Sequence, residues 1–334
     1  MIAGREILSS RKAKAVVAAT IVVVLAGAAA WWSWRNKDVC RSCVEYRMEG
    51  AEEIPTAIAV APDGAVWVSI DAARSLGLLR NGKLERISIG RRTPEPVGLG
   101  VDGDGNAWLA NPATVSILRI TRSGEVTETA LDTPIARLGR LAVGGDGSVW
   151  FAESTAYSFS RILGGKLTRH AISVVRGGPY GVAVSTDGTA WGTLQSGNKL
   201  VRITADGKIT EMEIPTRAGT PTDVAVAPDG SVWVLEFRAN KVAHFHDGKF
   251  DEFDVGGDFA GLSGLTIAKD GSIWFGLLRR SALGCIKDGK MSTLKLPRPD
   301  ARPYTLAADQ SGNVWYADIS GVVGKVPESV VKSR

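Results

Sequence analysis

Seven tryptophans recur along this 334-residue chain at intervals of 41 or 42 residues. Glycine stands three positions before each of them, and aspartate precedes most of those glycines. A fixed period of about 40 residues, with turn signals and β-rich text, is typical of a β-propeller. The sequence therefore predicts an all-β fold, a seven-bladed β-propeller. The repeated tryptophans are Trp67, Trp108, Trp150, Trp191, Trp233, Trp274 and Trp315.

One repeat unit, residues 179–214, shows how the period becomes a blade. Residues 180–184 are a short apolar run that predicts a buried inner strand, and a tight Asp-Gly turn follows them. Residues 189–193, 198–203 and 208–214 predict the second, third and outer strands. We expect each tryptophan to fill the wedge between neighbouring blades, because its ring is large and flat.

The seventh unit supplies only three strands, so one blade lacks its outer strand. Residues 44–48 alternate in the manner of an outer strand. We expect them to pair with residues 321–326 and to close the ring, which removes the open edges that invite aggregation. The predicted propeller then covers residues 44–327, and residues 328–334 form a C-terminal tail.

Residues 15–34 carry no charge, and their 20 residues at about 1.5 Å rise match the ~30 Å thickness of a bilayer core. Three tryptophans at the end of this run stand where an interfacial aromatic belt belongs. The run predicts an N-terminal transmembrane helix that acts as a signal anchor, between a cytoplasmic tail (1–14) and a stalk (35–43). A cleaved signal peptide is the alternative. In both cases we expect the propeller outside the cytoplasm, and with the anchor retained it is a single-pass protein of the cell membrane.

The net charge of the chain is small, but its charged residues are unevenly distributed. The formal net charge is +5, and we expect a monomer with no nucleic-acid partner. Arginines concentrate in the connections at the end of each blade that lies opposite the Asp-Gly turns. Arginine suits the capture of carboxylate or phosphate groups, so a small-molecule ligand or an anionic polymer at that face is a hypothesis. Ordinary exposed charge is the alternative.

Strand order locates the rim where these arginines lie. The inner strand begins 11 residues before each tryptophan and the second strand ends three after it, and antiparallel pairing brings both points to one end of the blade. We call this end the top face. Oxygen ligands from several blades could hold Mg²⁺ or Ca²⁺ there, and solvated side chains or ion pairs with arginines are the alternative. The predicted ligand-binding residues are Tyr180, Tyr304, Arg140 and Asp223, and the predicted metal ligands are Asn111, Glu153, Glu236 and Asp318.

The chain shows no nucleophile elbow, phosphate loop or zinc-protease motif. His244 and His246 share one face of a predicted third strand, but no carboxylate or thiol is spaced along the sequence to complete a metal site. Cys40 and Cys43 are expected to form a local disulfide outside the cytoplasm. Cys285 is expected to be a buried free thiol.

The repeat text resembles the streptogramin B lyase (virginiamycin B lyase) family. Strings that carry the resemblance are GPYGV (178–182), DGTAW (187–191), NKLVRIT (198–204) and DGKITE (206–211), and similar strings recur over 54–327. The resemblance implies the seven-bladed fold and a metal-dependent carbon–oxygen lyase that opens a cyclic depsipeptide antibiotic. It also implies catalytic histidines near the starts of inner strands.

Those positions hold Tyr180, Thr222, Ser263 and Tyr304 in this chain, and none of them is histidine. Without a histidine the usual general base for such chemistry is missing. The preferred interpretation is a lyase-like propeller that binds a ligand at its top face. The alternatives are an active metal-dependent lyase or lactonase, and a protein-interaction scaffold in the cell envelope.

Overall fold

The computed structural model describes the chain from residue 38 to residue 334 with short gaps. The gaps are residues 51–52, 91–92, 94, 134–136 and 174–176. The chain divides into two compact units, Met1–Val39 and Cys40–Arg334. The predicted anchor, 15–34, lies outside the described residues. Within the described residues, no helix has the length and apolar character that a membrane span needs.

The unit Cys40–Arg334 contains seven four-stranded antiparallel sheets, which confirms the predicted seven-bladed propeller. Four consecutive strands make each of the first six blades. In chain order the strands are β1 (Val44–Arg47), β2 (Pro55–Val60), β3 (Val66–Ile70), β4 (Ser75–Arg80), β5 (Lys83–Ser88), β6 (Leu99–Val101), β7 (Ala107–Asn111), β8 (Ser116–Ile120), β9 (Val126–Ala130), β10 (Leu138–Val143), β11 (Val149–Glu153), β12 (Ser158–Leu163), β13 (Lys166–Ala171), β14 (Pro179–Val184), β15 (Ala190–Leu194), β16 (Lys199–Ile203), β17 (Ile209–Glu213), β18 (Pro221–Val226), β19 (Val232–Glu236), β20 (Lys241–His246), β21 (Lys249–Asp254), β22 (Leu262–Ile267), β23 (Ile273–Leu277), β24 (Ala282–Lys287), β25 (Lys290–Lys295), β26 (Pro303–Ala308), β27 (Val314–Asp318) and β28 (Val322–Val326).

Blade 1 is β2–β5, the next five blades follow in the same way, and blade 7 is β26–β28 completed by β1. The first strand of every blade contacts the first strand of the next, and contacts between β26 and β2 complete the circle. These seven inner strands therefore surround the central axis, and the outer strands face away from it.

The repeated tryptophans lie between blades, as the period predicts. Trp67 of blade 1 packs with Leu109 of blade 2, and Trp274 of blade 6 packs with Tyr316 of blade 7. Six of the seven rings are buried, and Trp108 is half-buried. Burial of roughly 150–250 Å² for each ring contributes at most about 4–6 kcal/mol. The tryptophan that recurs every 41 or 42 residues thus marks one interface between neighbouring blades in each repeat.

The closing strand is where the sequence places it. β1 pairs antiparallel with β28, in a register that runs from Val44↔Lys325 to Arg47↔Val322, so the predicted closure is confirmed. Just before this strand, the predicted disulfide between Cys40 and Cys43 is present. Blade 7 therefore joins two segments that are distant in sequence.

Side-chain contacts also hold the closing strand against blade 7. The Glu45 carboxylate accepts hydrogen bonds from Arg298 Nε at 2.9 Å and from the Tyr316 hydroxyl at 3.0 Å. The Tyr46 ring stacks on Trp315, with ring centroids 6.2 Å apart. Loss of β1 would expose β28 as an open edge, and it would remove the hydrogen-bond acceptor of the buried Tyr316 hydroxyl.

The segment expected as a C-terminal tail begins with a short helix, α1 (Glu328–Val331). Val331 is buried in a cluster with Trp274 and Cys285. Cys285 is a buried free thiol, as predicted, and burial raises its pKa to about 11. The helix therefore covers one end of the interface between blades 6 and 7.

Candidate functional site

A β-bulge marks the top of the inner strand in six of the seven blades. In β18, Pro221 pairs with Glu236 and Asp223 pairs with Leu235, so Thr222 is the extra residue. A bulge bends the strand and re-aims its side chains. All four predicted ligand-binding residues lie in or beside such bulges.

Glycines allow the inner strands to approach closely at this level. A Cβ atom on Gly98 would lie 2.6 Å from the carbonyl oxygen of Gly139, and one on Gly139 would lie 2.6 Å from that of Tyr180. Real Cβ atoms do not tolerate such contacts, so a side chain at either glycine would push the strands apart. The narrow axis therefore depends on these two positions.

The predicted ligand-binding residues come together on this axis. Arg140 Nη2 of blade 3 lies 3.7 Å from Asp223 Oδ2 of blade 5. The guanidinium carbon of Arg140 is 5.9 Å from the ring centroid of Tyr180 and 5.8 Å from that of Tyr304. Strands of blades 3, 4, 5 and 7 thus meet in one group, which we call the axial cluster (Arg140, Tyr180, Asp223 and Tyr304).

Backbone groups of two further blades complete the axial cluster. Arg140 Nη1 donates to the carbonyl oxygen of Val97 at 3.2 Å. Asp223 accepts from the backbone N–H groups of Leu265 at 3.0 Å and Val224 at 3.1 Å. Arg140 Nε is a buried donor without a partner in the described part of the chain. The ion pair and its backbone partners therefore link blades 2, 3, 5 and 6, and Arg140 Nε is available to donate a hydrogen bond.

Burial sets the protonation of these groups. Burial raises the pKa of Asp223, and the charge of Arg140 opposes this shift. Burial also disfavours charge on Arg140, but Asp223, Tyr180 and Tyr304 together outweigh it, and the pKa of Arg140 is raised. The Arg140 guanidinium keeps its proton, and together with two backbone N–H groups it favours the charged form of Asp223. Burial raises the pKa of Tyr180 to about 12, so its hydroxyl is a hydrogen-bond donor at neutral pH.

A cavity of about 810 Å³ opens at the top face above the axial cluster. Tyr180 and Tyr304 line it, together with residues of both charges. Its volume lies within the range of small-molecule sites, about 300–1,000 Å³. The charged residues that line the cavity are Asp71, Glu95, Arg137 and Arg302.

Three of the four predicted metal ligands are already engaged by nearby side chains or backbone groups. Glu153 accepts from Arg169 Nε at 3.0 Å, Asp318 accepts from Arg298 Nη2 at 2.8 Å, and Asn111 accepts from a backbone N–H. Among the described residues, none of these carboxylates belongs to a group of three possible ligands within 4.8 Å of one another. The structure does not bring the four residues together, and carboxylates held by arginine do not fit a Mg²⁺ or Ca²⁺ site.

Glu236 differs from its counterparts. It is fully buried, and neither carboxylate oxygen has a hydrogen-bond partner among the described residues. Burial first, and the neighbouring Glu252 second, raise the pKa of Glu236 to about 8, against the charge of Lys241. Glu252 occupies the register position that Arg169 occupies in blade 3. The residue at this position of the outer strand therefore decides whether the buried acid accepts hydrogen bonds from an arginine or faces a second carboxylate.

All three histidines of the chain lie in third or outer strands. His170 stacks on Trp150, with centroids 5.1 Å apart, and His244 stacks on Trp233 at 3.9 Å. In the part of the chain that the structure describes, no histidine lines the top cavity. The cavity therefore offers tyrosines where the family resemblance implies histidines.

One expectation about the histidines is wrong. A carboxylate does complete the pair, because Asp251 on β21 is the register partner of His244, and its Oδ2 lies 2.7 Å from His246 Nε2. Spacing along the sequence hides this contact, since the ligands lie on two strands of a hairpin. The Asp-Gly turn between these strands is the signal that sets the register and could have revealed it.

Substitutions of the two partners of the axial ion pair should have non-additive effects on stability. Arg140→Met leaves Asp223 buried without its cation, and we expect the free energy of unfolding to fall by about 3–5 kcal/mol. The double variant with Asp223→Asn should lose less than the sum of the two single variants. Denaturant unfolding measures all three. Arg238→Met, at an exposed position, serves as the control, and strictly additive losses would contradict the coupling.

Glu236→Gln should flatten the dependence of stability on pH. The pKa of Glu236 is raised from 4.5 to about 8. The folded protein holds this proton more tightly than the unfolded chain does, so the contribution is complete below about pH 4.5 and is lost as pH rises through about 8. We expect the wild type to lose about 2–4 kcal/mol between about pH 5 and 9, relative to the variant.

Urea unfolding at a series of pH values measures this difference. Glu125→Gln, in an exposed turn, should keep the wild-type pH profile. Glu252→Gln should move the loss of stability to lower pH, because it removes a neighbouring negative charge. Parallel profiles for the wild type and Glu236→Gln would show that Glu236 does not titrate in this range.

Solved structures share this fold. A catalytically inactive virginiamycin B lyase from Staphylococcus aureus, solved with quinupristin, superposes with a TM-score of 0.80 at 24% identity, over 85% of this chain and 98% of that one. The hydrazine synthase of Kuenenia stuttgartiensis gives a TM-score of 0.68 at 16% identity, over 85% of this chain and 98% of that chain. Since these proteins are named for different activities, the likeness shows the fold alone.

Sequence comparison is more specific. A curated virginiamycin B lyase from Nocardia farcinica (strain IFM 10152) is 31% identical over 152 residues, which are 46% of this chain and 52% of the relative. The chain thus spans about half the length of the curated relative that it matches. The family model described as the virginiamycin B lyase family matches residues 38–163 and 83–331. The chain therefore belongs to the virginiamycin B lyase family.

Proposed function

We propose that this protein is a membrane-anchored propeller outside the cytoplasm that binds a small ligand in its top cavity. The observation that carries the proposal is the polar wall of a cavity of about 810 Å³, in which Tyr180 and Tyr304 stand over the buried Arg140. A concave site with a few converging polar groups is the usual form of a small-molecule site. Family membership supports the same face, because the resemblance implies a site at the starts of the inner strands.

The side chains of the cavity indicate the chemistry of the ligand. The protonated Tyr180 hydroxyl donates hydrogen bonds, and its ring offers a flat apolar surface. Arg137 and Arg302 suit carboxylate or carbonyl oxygens, whereas Asp71 and Glu95 keep the wall from being uniformly positive. We therefore propose a ligand with ring and carbonyl groups, with or without one anionic group, such as a cyclic peptide or depsipeptide.

Ligand binding has more support than catalysis. Tyr180, with a pKa of about 12, keeps its proton at neutral pH and so does not act as a general base. The predicted metal ligands Glu153 and Asp318 already pair with arginines, so no catalytic step through Mg²⁺ or Ca²⁺ is derived. A metal-dependent lyase or lactonase is the alternative function, and turnover distinguishes it from binding.

Quinupristin is a suitable probe, since a relative in this family was solved with it. We expect isothermal titration calorimetry of the full-length protein to show binding, and the double variant Tyr180→Phe with Tyr304→Phe to weaken it about tenfold through two lost hydrogen bonds. Mass spectrometry should find quinupristin unchanged after incubation with Mg²⁺.

Tyr157→Phe, a change outside the cavity, is the control and should bind like the wild type. No heat of binding, or equal affinity in the double variant, would contradict the proposed site. Ring-opened quinupristin that forms only when Mg²⁺ is added would establish the alternative, an active metal-dependent lyase.

Attachment to the membrane is part of the proposal. It rests on the uncharged run at 15–34 and the basic residues that precede it. We expect the full-length protein to stay in the membrane fraction after an alkaline carbonate wash, and protease added outside the cytoplasmic membrane to digest the propeller. A variant without residues 15–34 is the control and should be released into the soluble fraction. Recovery of the full-length protein in that fraction would contradict the anchor.

A further inference from the structure

The hairpin β20–β21 of blade 5 gathers three potential metal ligands at the bottom face, the end of the propeller that carries the Asp-Gly turns. His244 and His246 are two apart on β20, so their side chains share one face of the strand. Asp251 lies opposite His244 in the ladder. One ligand atom from each of the three residues lies within 4.8 Å of both others. Two imidazoles and a carboxylate thus converge on one point.

The imidazole of His244 has an unused nitrogen in this arrangement. Its Nε2 is buried and has no hydrogen-bond partner among the described residues. The ring is held between Trp233, at a centroid distance of 3.9 Å, and His246, at 4.5 Å. A buried polar atom without a partner costs about 1–3 kcal/mol. A metal ion at this nitrogen would remove the cost, and the stacked rings already fix the orientation of the ligand.

Negative charge surrounds the two imidazoles. Asp247 Oδ2 lies 3.6 Å from His246 Nδ1, and Asp229 interacts electrostatically with His244. The side chains of Asp247 and Asp251 are largely exposed, so they can reorient toward a bound ion. The site can therefore offset the charge of a divalent cation without a large rearrangement.

The propeller repeat itself does not require these residues. The register pair that corresponds to His244↔Asp251 is Arg202↔Thr210 in blade 4 and Cys285↔Ser292 in blade 6. Neither of these pairs offers the same ligands. The histidine and aspartate set is thus a feature of blade 5 and not a packing rule of the fold.

We propose that His244, His246 and Asp251 form a binding site for a divalent transition-metal ion, with Zn²⁺ as the representative ion. Two histidines and one carboxylate are a ligand set that Zn²⁺ uses in proteins, at about 2.0–2.2 Å from each ligand atom. Mg²⁺ and Ca²⁺ prefer an all-oxygen shell and should bind poorly. The site is separate from the top cavity, so metal binding here does not depend on the proposed ligand-binding function.

An open cavity adjoins the proposed metal ligands. A cavity of about 810 Å³ between blades 4 and 5 is lined by His244, His246 and Asp247. Arg202 and Asp187 lie on its other side. Water or a small anion can therefore reach the bound ion, which is the arrangement of a zinc site with an exchangeable position.

Metal titration of the untagged full-length protein tests the proposal. We expect one Zn²⁺ per chain by calorimetry, a higher melting temperature with Zn²⁺, and no comparable effect of Mg²⁺ or Ca²⁺. His246→Gln and Asp251→Asn should each weaken binding by about 100-fold, because each removes a direct ligand. Lys249→Gln, on the same hairpin, changes the charge without removing a ligand and should keep the wild-type affinity.

A second measurement does not depend on the variants. Cu²⁺ should bind the same ligands more tightly, and electron paramagnetic resonance of the wild type should show coupling to two imidazole nitrogens. Absence of Zn²⁺ binding, equal affinity in His246→Gln and Asp251→Asn, or a Cu²⁺ spectrum without nitrogen coupling would each overturn the proposal.

Discussion

The ion pair between Arg140 and Asp223 is the contact on which the centre of the molecule depends. Seven inner strands meet at the axis, where there is little room and where the side chains of Arg140 and Asp223 are largely buried. A charge placed there needs its partner across the axis, and Arg140 reaches Asp223 past an intervening blade. The same guanidinium donates to Val97 and lies beside the rings of Tyr180 and Tyr304. Arg140 belongs to one blade and contacts groups of four others, so a substitution near the axis in any of these five blades changes the surroundings of the same guanidinium.

The repeat explains why so much of the fold could be predicted. Each tryptophan marks the same point in its blade, so counting from it gives strand order, the interfaces between blades and the face on which the inner strands begin. The same count found Arg140, Tyr180, Asp223 and Tyr304, which lie at equivalent or adjacent positions and so had to meet at the axis. The N-terminal segment at 44–48 could also be assigned, because six complete blades show what the seventh lacks.

The sites that prediction missed depend on contacts that a count from the tryptophans does not contain. Glu153, Glu236 and Asp318 occupy equivalent positions, but their surroundings are set by outer-strand residues that differ from blade to blade. Arg169 neutralises Glu153, whereas Glu252 at the corresponding position raises the pKa of Glu236. Asp251 escaped notice for a similar reason, because only the ladder between β20 and β21 brings it to the histidines. The repeat therefore predicts the positions that all blades share, but it does not predict the partners and pKa values that depend on residues differing from blade to blade.

The closing strand has a consequence for how the chain folds during synthesis. β1 leaves the ribosome first, yet its partner β28 is made only after the other six blades. Until then β1 has no ladder to join, and the growing ring keeps an open edge. Blade 7 is therefore completed only after β28 has been made, and the sequence distance between its two parts makes ring closure a slow, late event. A chain that stops short of β28 would leave its earliest strand unpaired, and the open edges at both ends of the unfinished ring would be exposed to pairing with other chains.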